Sequence, residues 1–194
     1  MDNQIENIKA DFLDRKPALL LHTCCAPCCS SVIEILKDVF DITLYFYNPN
    51  ITEKIEYLKR YNELSCYIKQ RNYTIKIING LYSPEKDFFP NVKGLENTKE
   101  GGERCFICYN LRLEETGRLA NSMGFDYFST VLSISPLKNS QVINELGENL
   151  EKKYKVKFLH GDFKKKNRFL ESIKISKEFN LYRQNFCGCC FSKS

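Results

Sequence analysis

The chain has 194 residues, ten cysteines, two histidines and a formal net charge of +5, and 43% of it is hydrophobic. That length and apolar fraction suit a single core of ordinary size and exclude a disordered chain. No run of ~20 apolar residues is available to cross a bilayer, and the opening stretch MDNQIENIKADFLDRK lacks the apolar segment of a secretory signal.

In chain order, residues 17–22 (PALLLH) form a short apolar run that predicts a buried strand, leading straight into Thr23-Cys24-Cys25-Ala26-Pro27-Cys28-Cys29. A helix is expected over 30–37 and a β-branched, aromatic strand over 41–47, closed by the turn residues Asn48-Pro49-Asn50. Thr52 is a candidate cap for a long helix to about residue 71, with Ile55, Leu58, Tyr61, Leu64 and Ile68 as its apolar stripe. A third strand follows at 74–78. Residues 80–102 read as a long loop, a kind of segment that often carries function. A helix is expected over 104–123, stopped by Gly124, then a strand over 125–133. A helix over 139–154, a strand over 156–160 and a helix over 169–181 complete the pattern.

Alternating strands and helices build right-handed crossovers and a parallel sheet of about five strands covered by helices, an α/β fold. No linker or repeat interrupts residues 1–194, so one domain is expected. Its charge is uneven: 151–194 carries +8, whereas 1–150 carries −3. A basic, cysteine-bearing C-terminal segment is what a polyanion such as RNA would meet, although a solvated lysine face has the same composition.

A chain without a secretory signal is expected to be cytoplasmic, with reduced thiols. That excludes a secreted disulfide scaffold and leaves metal ligation, redox chemistry or inert burial. With two histidines, any ligation falls to thiolates, which suit zinc or an iron–sulfur cluster. Nine of the ten cysteines are clustered: Cys24, Cys25, Cys28 and Cys29; Cys105 and Cys108; Cys187, Cys189 and Cys190. The first group lies between a strand and a helix N-terminus, where amides and the helix dipole favour thiolates. It falls at the carboxyl edge of the sheet, the usual ligand edge of such folds. By spacing, Cys25 and Cys28 are the natural pair there, and they also read as a redox dithiol. Cys187-Gly188-Cys189 can cycle between dithiol and a strained disulfide, or supply further ligands. Cys66, between Leu64 and Ile68, reads as a buried inert thiol. Cys29 and Cys190 receive no role.

These residues resemble the cobalamin-independent epoxyqueuosine reductases. The resemblance rests on His22-Thr23-Cys24-Cys25-Ala26-Pro27-Cys28, Tyr47-Asn48-Pro49-Asn50-Ile51, Arg104-Cys105-Phe106-Ile107-Cys108-Tyr109 with Arg112-Leu113, Ser135-Pro136, Asp162-Phe163-Lys164-Lys165 and Tyr182-Arg183-Gln184-Asn185-Phe186-Cys187-Gly188-Cys189, spread over 22–192. It implies a nucleotide-hydrolase-type (HUP-like) layer fold and the last step of queuosine formation. In that step the epoxide oxygen of epoxyqueuosine, at the wobble position of tRNA, is removed as water. It also implies a [4Fe-4S] cluster on Cys24, Cys25, Cys105 and Cys108, compatible with an additional adjacent iron, and a redox-active disulfide-forming pair at Cys187 and Cys189.

The expected partners are a tRNA anticodon stem-loop and an electron donor, with no membrane or DNA partner. Asp162 is a candidate proton donor or iron ligand, and equally a turn residue before a basic loop; His22 is a strand-end residue of structural type. Lys164, Lys165, Lys166, Arg168 and Arg183 are candidates for phosphate contact, and Tyr47, Tyr109 and Phe186 for base stacking or core packing. Two other classes fit the cysteines: a zinc-stabilised RNA-binding module without catalysis, and a general thiol–disulfide oxidoreductase.

Overall fold

The computed structural model describes residues 2–192. Its strands are β1 (Ala18–His22), β2 (Asp41–Phe46), β3 (Lys76–Asn79), β4 (Tyr127–Thr130) and β5 (Lys157–Phe158). They form one sheet in the order β3-β2-β1-β4-β5, with every pair parallel. The helices are α1 (Asp2–Asp11), α2 (Ala26–Leu36), α3 (Lys54–Gln70), α4 (Pro84–Asp87), α5 (Phe89–Val92), α6 (Glu103–Met123), α7 (Ser140–Tyr154) and α8 (Arg168–Glu178). The α/β architecture with five parallel strands agrees with the sequence reading. Among the described residues no helix is long and apolar enough to cross a membrane.

The central strand explains the layering. In β1, side chains alternate between faces, so Leu19 and Leu21 enter one core and Leu20 the other. Both faces are covered, which is why ALLLH reads as a continuous apolar run rather than an alternation. Val32, Ile33 and Leu36 of α2, Leu64, Tyr67 and Ile68 of α3, and Ile175 of α8 fill the first core. Leu113 and Ala120 of α6 and Ile143 and Leu150 of α7 fill the second.

From β1 the chain moves outward to β2 and β3, then crosses back to β4 on the other side of β1. This reversal opens a crevice at the carboxyl ends of β1 and β4, the point where such sheets bind ligands. The cysteine loop after β1 and a 3₁₀ turn after β4 (Val131–Ile134) flank it.

Several expectations need correction. Helix α1 was not anticipated from its polar composition; Ile5, Ile8 and Phe12 nonetheless seat it on the first core. Helix α2 starts at Ala26, inside the cysteine motif, because Pro27 sits in its first turn, where a missing N–H costs nothing. The cap position of α3 is Glu53 rather than Thr52. Its buried face carries Tyr57, Arg60, Leu64, Tyr67 and Ile68, whereas Ile55 is 84% exposed. That phase also turns Cys66 outward, so it is exposed and not a core thiol. The stretch 80–102 contains α4 and α5, the strand near 125–133 shortens to β4 followed by the 3₁₀ turn, and β5 has two residues. Gly124 ends α6 as expected, in the left-handed region at φ +72°.

Candidate active site

The cysteine loop is built by the elements around it. Cys25 is the N-cap residue of α2, in extended conformation, and Cys28 lies in the first helical turn. Cys24 and Cys28 are half-buried and Cys25 is buried. Their sulfurs gather within 4.8 Å of one another, and Cys24 Sγ lies 3.9 Å from Cys25 Sγ. Hydrogen bonds from Cys25 and then Cys28 push the Cys24 thiol well below its usual range. Burial pushes Cys25 up to about 12. One thiolate held by two neighbouring thiols is a receptor for a cation. Cys29 is fully buried, its Sγ 3.3 Å from Ala26 O, and burial raises its pKa strongly. It is a core residue.

His22 bolts the loop in place. Its Nε2 is 3.1 Å from Tyr47 O and its Nδ1 2.8 Å from Thr130 Oγ1. A carbonyl only accepts, so Nε2 carries the proton and Nδ1 accepts from the threonine hydroxyl. Burial lowers its pKa to about 4, so the ring is neutral.

The second pair stands at the start of α6. Gly101 N–H donates to Cys105 Sγ at 3.3 Å, and Cys108 is buried, which raises its thiol to about 11. Helix dipole and amides favour negative charge here too.

Cys187 and Cys189 lie on a strap without regular structure, which leads into a 3₁₀ turn at Cys190–Ser192. Cys187 lines a cavity of about 210 Å³ with Cys24, Cys28, Arg112, Lys138 and Gln184. It also lines a neighbouring space of about 20 Å³ with Cys105, Cys108, Arg112, Lys138 and Cys189. Cys187 therefore stands between the two other cysteine groups. A hydrogen bond from Cys189 lowers its pKa to about 5, with Ser192 Oγ 3.1 Å from its Sγ. Cys189 is raised by the same contact. All ten cysteines are free, so the expected disulfide is not present in this structure.

The strap is fixed mainly from α3. Arg60, 1% exposed, donates from Nη1 to Cys187 O at 3.1 Å and from Nη2 to Phe186 O at 3.2 Å. Its Nε pairs with Glu56 at 2.7 Å. Thr52 N–H donates to Gly188 O at 3.1 Å. Gly188 has φ +100°, and a Cβ there would lie 2.8 Å from Ile51 Cγ1, so only glycine is unstrained. Gln184 Nε2 donates to Cys25 Sγ at 3.0 Å.

Arg112 is the buried cation of the site. It is 3% exposed, and its Nε donates to Cys108 O at 3.0 Å. Among the described residues no ion pair joins it to a carboxylate. Burial opposes its charge, yet Cys108, Cys24, Tyr109 and Cys187 together hold its pKa above the ordinary value.

Asp162 lies beside Lys164 and Lys165, at 3.4 Å from each ammonium, and lines neither cavity. Tyr47 and Tyr109 are buried in the second core, while Phe186 lines the larger cavity. Cys190 is exposed. The sequence does not single out Arg60 or Lys138, and it names Gln184 only within a motif, with no role of its own. Arg60 was legible in principle: it falls on the apolar phase of α3, four residues after Glu56.

The fold and the thiol-rich crevice define a class, an α/β protein whose chemistry is carried by sulfur at the switch point of a parallel sheet. Residues 19–194 match the family model described as epoxyqueuosine reductase QueH. The epoxyqueuosine reductase QueH of Streptococcus pyogenes serotype M1 is 42% identical over 185 residues, covering 91% of this chain and 71% of that one. That of Thermotoga maritima is 37% identical over 176 residues, covering 90% and 89%. The chain belongs to the epoxyqueuosine reductase QueH family and is an oxidoreductase of queuosine biosynthesis. Among solved structures, the U34-tRNA thiolase NcsA from Methanococcus maripaludis with its [4Fe-4S] cluster shares the fold. The TM-score is 0.52 at 12% identity, over 100% of this chain and 68% of that one.

Proposed function

We propose that this epoxyqueuosine reductase acts on tRNA with a [4Fe-4S] cluster held by Cys24, Cys25, Cys105 and Cys108, and with Cys187 and Cys189 as a redox dithiol. The observation that carries the reading is the position of Cys187, lining both the cavity of Cys24 and Cys28 and the space of Cys105 and Cys108. The donor set fits the group. It is all sulfur, it sits at two helix N-termini, and a buried Arg112 without a carboxylate partner calls for an anionic centre. A thiolase of the same fold that carries such a cluster is a precedent at the level of the fold.

When bound, the cluster supplies electrons one at a time. The rest of the chemistry belongs to this chain. Removing the epoxide oxygen takes two electrons and two protons and yields an alkene and water. Oxidation of the Cys187 thiolate and the Cys189 thiol to a disulfide releases two electrons and one proton; solvent supplies the second proton, so the equation balances, and an external electron donor restores the pair. Cys187, held as a thiolate by Cys189, is the sulfur presented to the cavity. Arg112 and Lys138 line the same cavity and supply positive charge where oxygen becomes anionic as the ring opens. Cys28, in the same gathering as Cys24 and Cys25, is available to an additional iron.

The basic segment reaches this cavity. Arg183 lines it, and its guanidinium lies 5.7 Å from the Phe169 ring centre. Lys164 Nζ donates to Lys138 O at 3.0 Å. A tRNA anticodon loop docking over 164–183 would place its modified base at the cavity mouth, and its affinity would fall steeply with salt.

Anaerobic reaction with epoxyqueuosine-containing tRNA tests the reading. Cys187→Ser and Cys189→Ser are expected to keep a full iron complement and broad absorbance near ~400 nm, yet lose turnover by nucleoside analysis. Full turnover in either variant with an intact cluster overturns the dithiol role, and a colourless zinc protein overturns the cluster.

A further inference from the structure

The strap that carries the dithiol also touches the cysteine loop. Three residues before Cys187, Gln184 lines the larger cavity and sends its side-chain N–H to Cys25 Sγ at 3.0 Å. Its amide oxygen is buried without a hydrogen-bond partner. An unpaired buried acceptor is unfavourable. With Cys25 bound to the cluster as a thiolate, its sulfur accepts and never donates, so this orientation is the one the ligand needs: turning the amide over would set its oxygen against the sulfur's negative charge. The amide thus satisfies the sulfur at the expense of its own oxygen.

Gln184 is also held where it is. Arg60 clamps the carbonyls of Phe186 and Cys187, and Tyr182 N–H donates to Glu63 Oε1 at 2.6 Å. The chain on both sides of Gln184 is therefore anchored to α3, and the amide has little freedom to leave Cys25. Hydrogen bonds to ligand sulfurs are one of the levers that set an iron–sulfur potential, because they stabilise the more negative, reduced state.

We propose that Gln184 is a positioning residue through which the C-terminal strap raises the reduction potential of the cluster, by an N–H···S bond to Cys25. This rests on the reading of Cys25 as a cluster ligand. The strap then does two jobs with one segment: it presents the dithiol to the cavity and sets how readily the neighbouring centre accepts an electron.

The test uses the full chain, reconstituted anaerobically, with iron and sulfide assayed and the midpoint read by reductive titration of the cluster's spin signal. Gln184→Leu removes the donor, and Gln184→Glu keeps the shape while exchanging the donor for a carboxylate. Both are expected to lower the midpoint, by at least tenfold in the reduction equilibrium for Gln184→Leu, about 59 mV for one electron, and further for Gln184→Glu. Wild-type midpoints in both variants with full iron overturn the proposal. So does loss of the cluster from both with the fold intact by circular dichroism, which would make Gln184 a residue of assembly rather than of tuning. A Cys25→Ser control separates the two levels. If it keeps a wild-type cluster, the ligand reading fails and takes the proposal with it. If it loses the cluster while the Gln184 variants titrate like wild type, only the role of Gln184 fails.

Discussion

Two regions of this molecule hold cysteines in place by opposite means. The loop at Cys24–Cys28 is fixed by regular structure: β1 delivers it, α2 begins within it, and His22 ties it to β4 and to the end of β2. The strap at Cys187–Cys189 has no helix or strand of its own. It is fixed by a charged side chain from the core of α3, whose guanidinium is spent on two backbone carbonyls. Arg104 repeats the device, donating to Leu95 O at 2.9 Å and Glu96 O at 2.6 Å. Thiols placed by secondary structure share the rigidity of the sheet. Thiols placed by a side-chain clamp can be released by one substitution, and that suits the proposed redox pair, which would change its bonding during the reaction.

The contrast is broken most severely at Arg60. Among the described residues, Arg60→Met leaves the Glu56 carboxylate with only the Tyr182 hydroxyl, 3.2 Å from Oε2, and loss of one partner of a buried pair costs up to about 3–5 kcal/mol. Urea denaturation is expected to show that loss, and the dithiol-dependent turnover to collapse, while iron content stays at the wild-type level. A proportional loss of iron would show that the strap and the cysteine loop are one unit.

A smaller break is Gly188→Ala. The left-handed backbone and the contact with Ile51 strain any side chain by about 1–3 kcal/mol. The effect is local, so exchange of the Thr52 amide, which is bonded to Gly188 O, is the measurement. Its protection is expected to fall tenfold or more, with amides of β1 unchanged. Unaltered Thr52 protection would mean the strap tolerates the side chain.

The smallest effect is read by pH. The folded Cys187 thiol is lowered to about 5 by its bond from Cys189. A group whose pKa falls on folding adds stability that is present above its unfolded value and is lost as pH drops through the folded one. Alkylation of Cys187 by iodoacetamide is therefore expected to be nearly independent of pH between about 6 and 8, whereas an ordinary thiol accelerates about tenfold per unit there. A Cys187 rate that climbs through that range would remove the thiolate.

The difference between the two regions also governs what could be read from the sequence. The strand–cysteine–helix loop was legible because apolar runs, a proline at a helix start and clustered thiols are local signals. The five-stranded layer followed from the same kind of signal. Helix α1 was passed over because its anchoring side chains, Ile5, Ile8 and Phe12, are few among polar ones. On α3 the exposed Ile55 and Leu58 drew the apolar stripe to the wrong face, which hid Arg60 and buried Cys66 on paper. The clamp itself was beyond reach: Arg60 and Cys187 are 127 positions apart, and no local pattern joins them. The gathering of Cys24, Cys25 and Cys28 was not fixed either, since spacing favoured one pair and the resemblance another.

The wiring of His22 has one more consequence. Both ring nitrogens are engaged and the ring is neutral; the other histidine, His160, sits at the surface 3.5 Å from Glu148 Oε1. Imidazole, the usual carrier of protons near neutral pH, has no free edge in this crevice. On the proposed dithiol reading, the protons for water come without an imidazole, from the Cys189 thiol and from solvent; Lys138 and Glu100 line both cavities. If that reading holds, proton and electron supply share the same thiols, and the scarcity of histidine becomes part of how the chemistry is kept in one place.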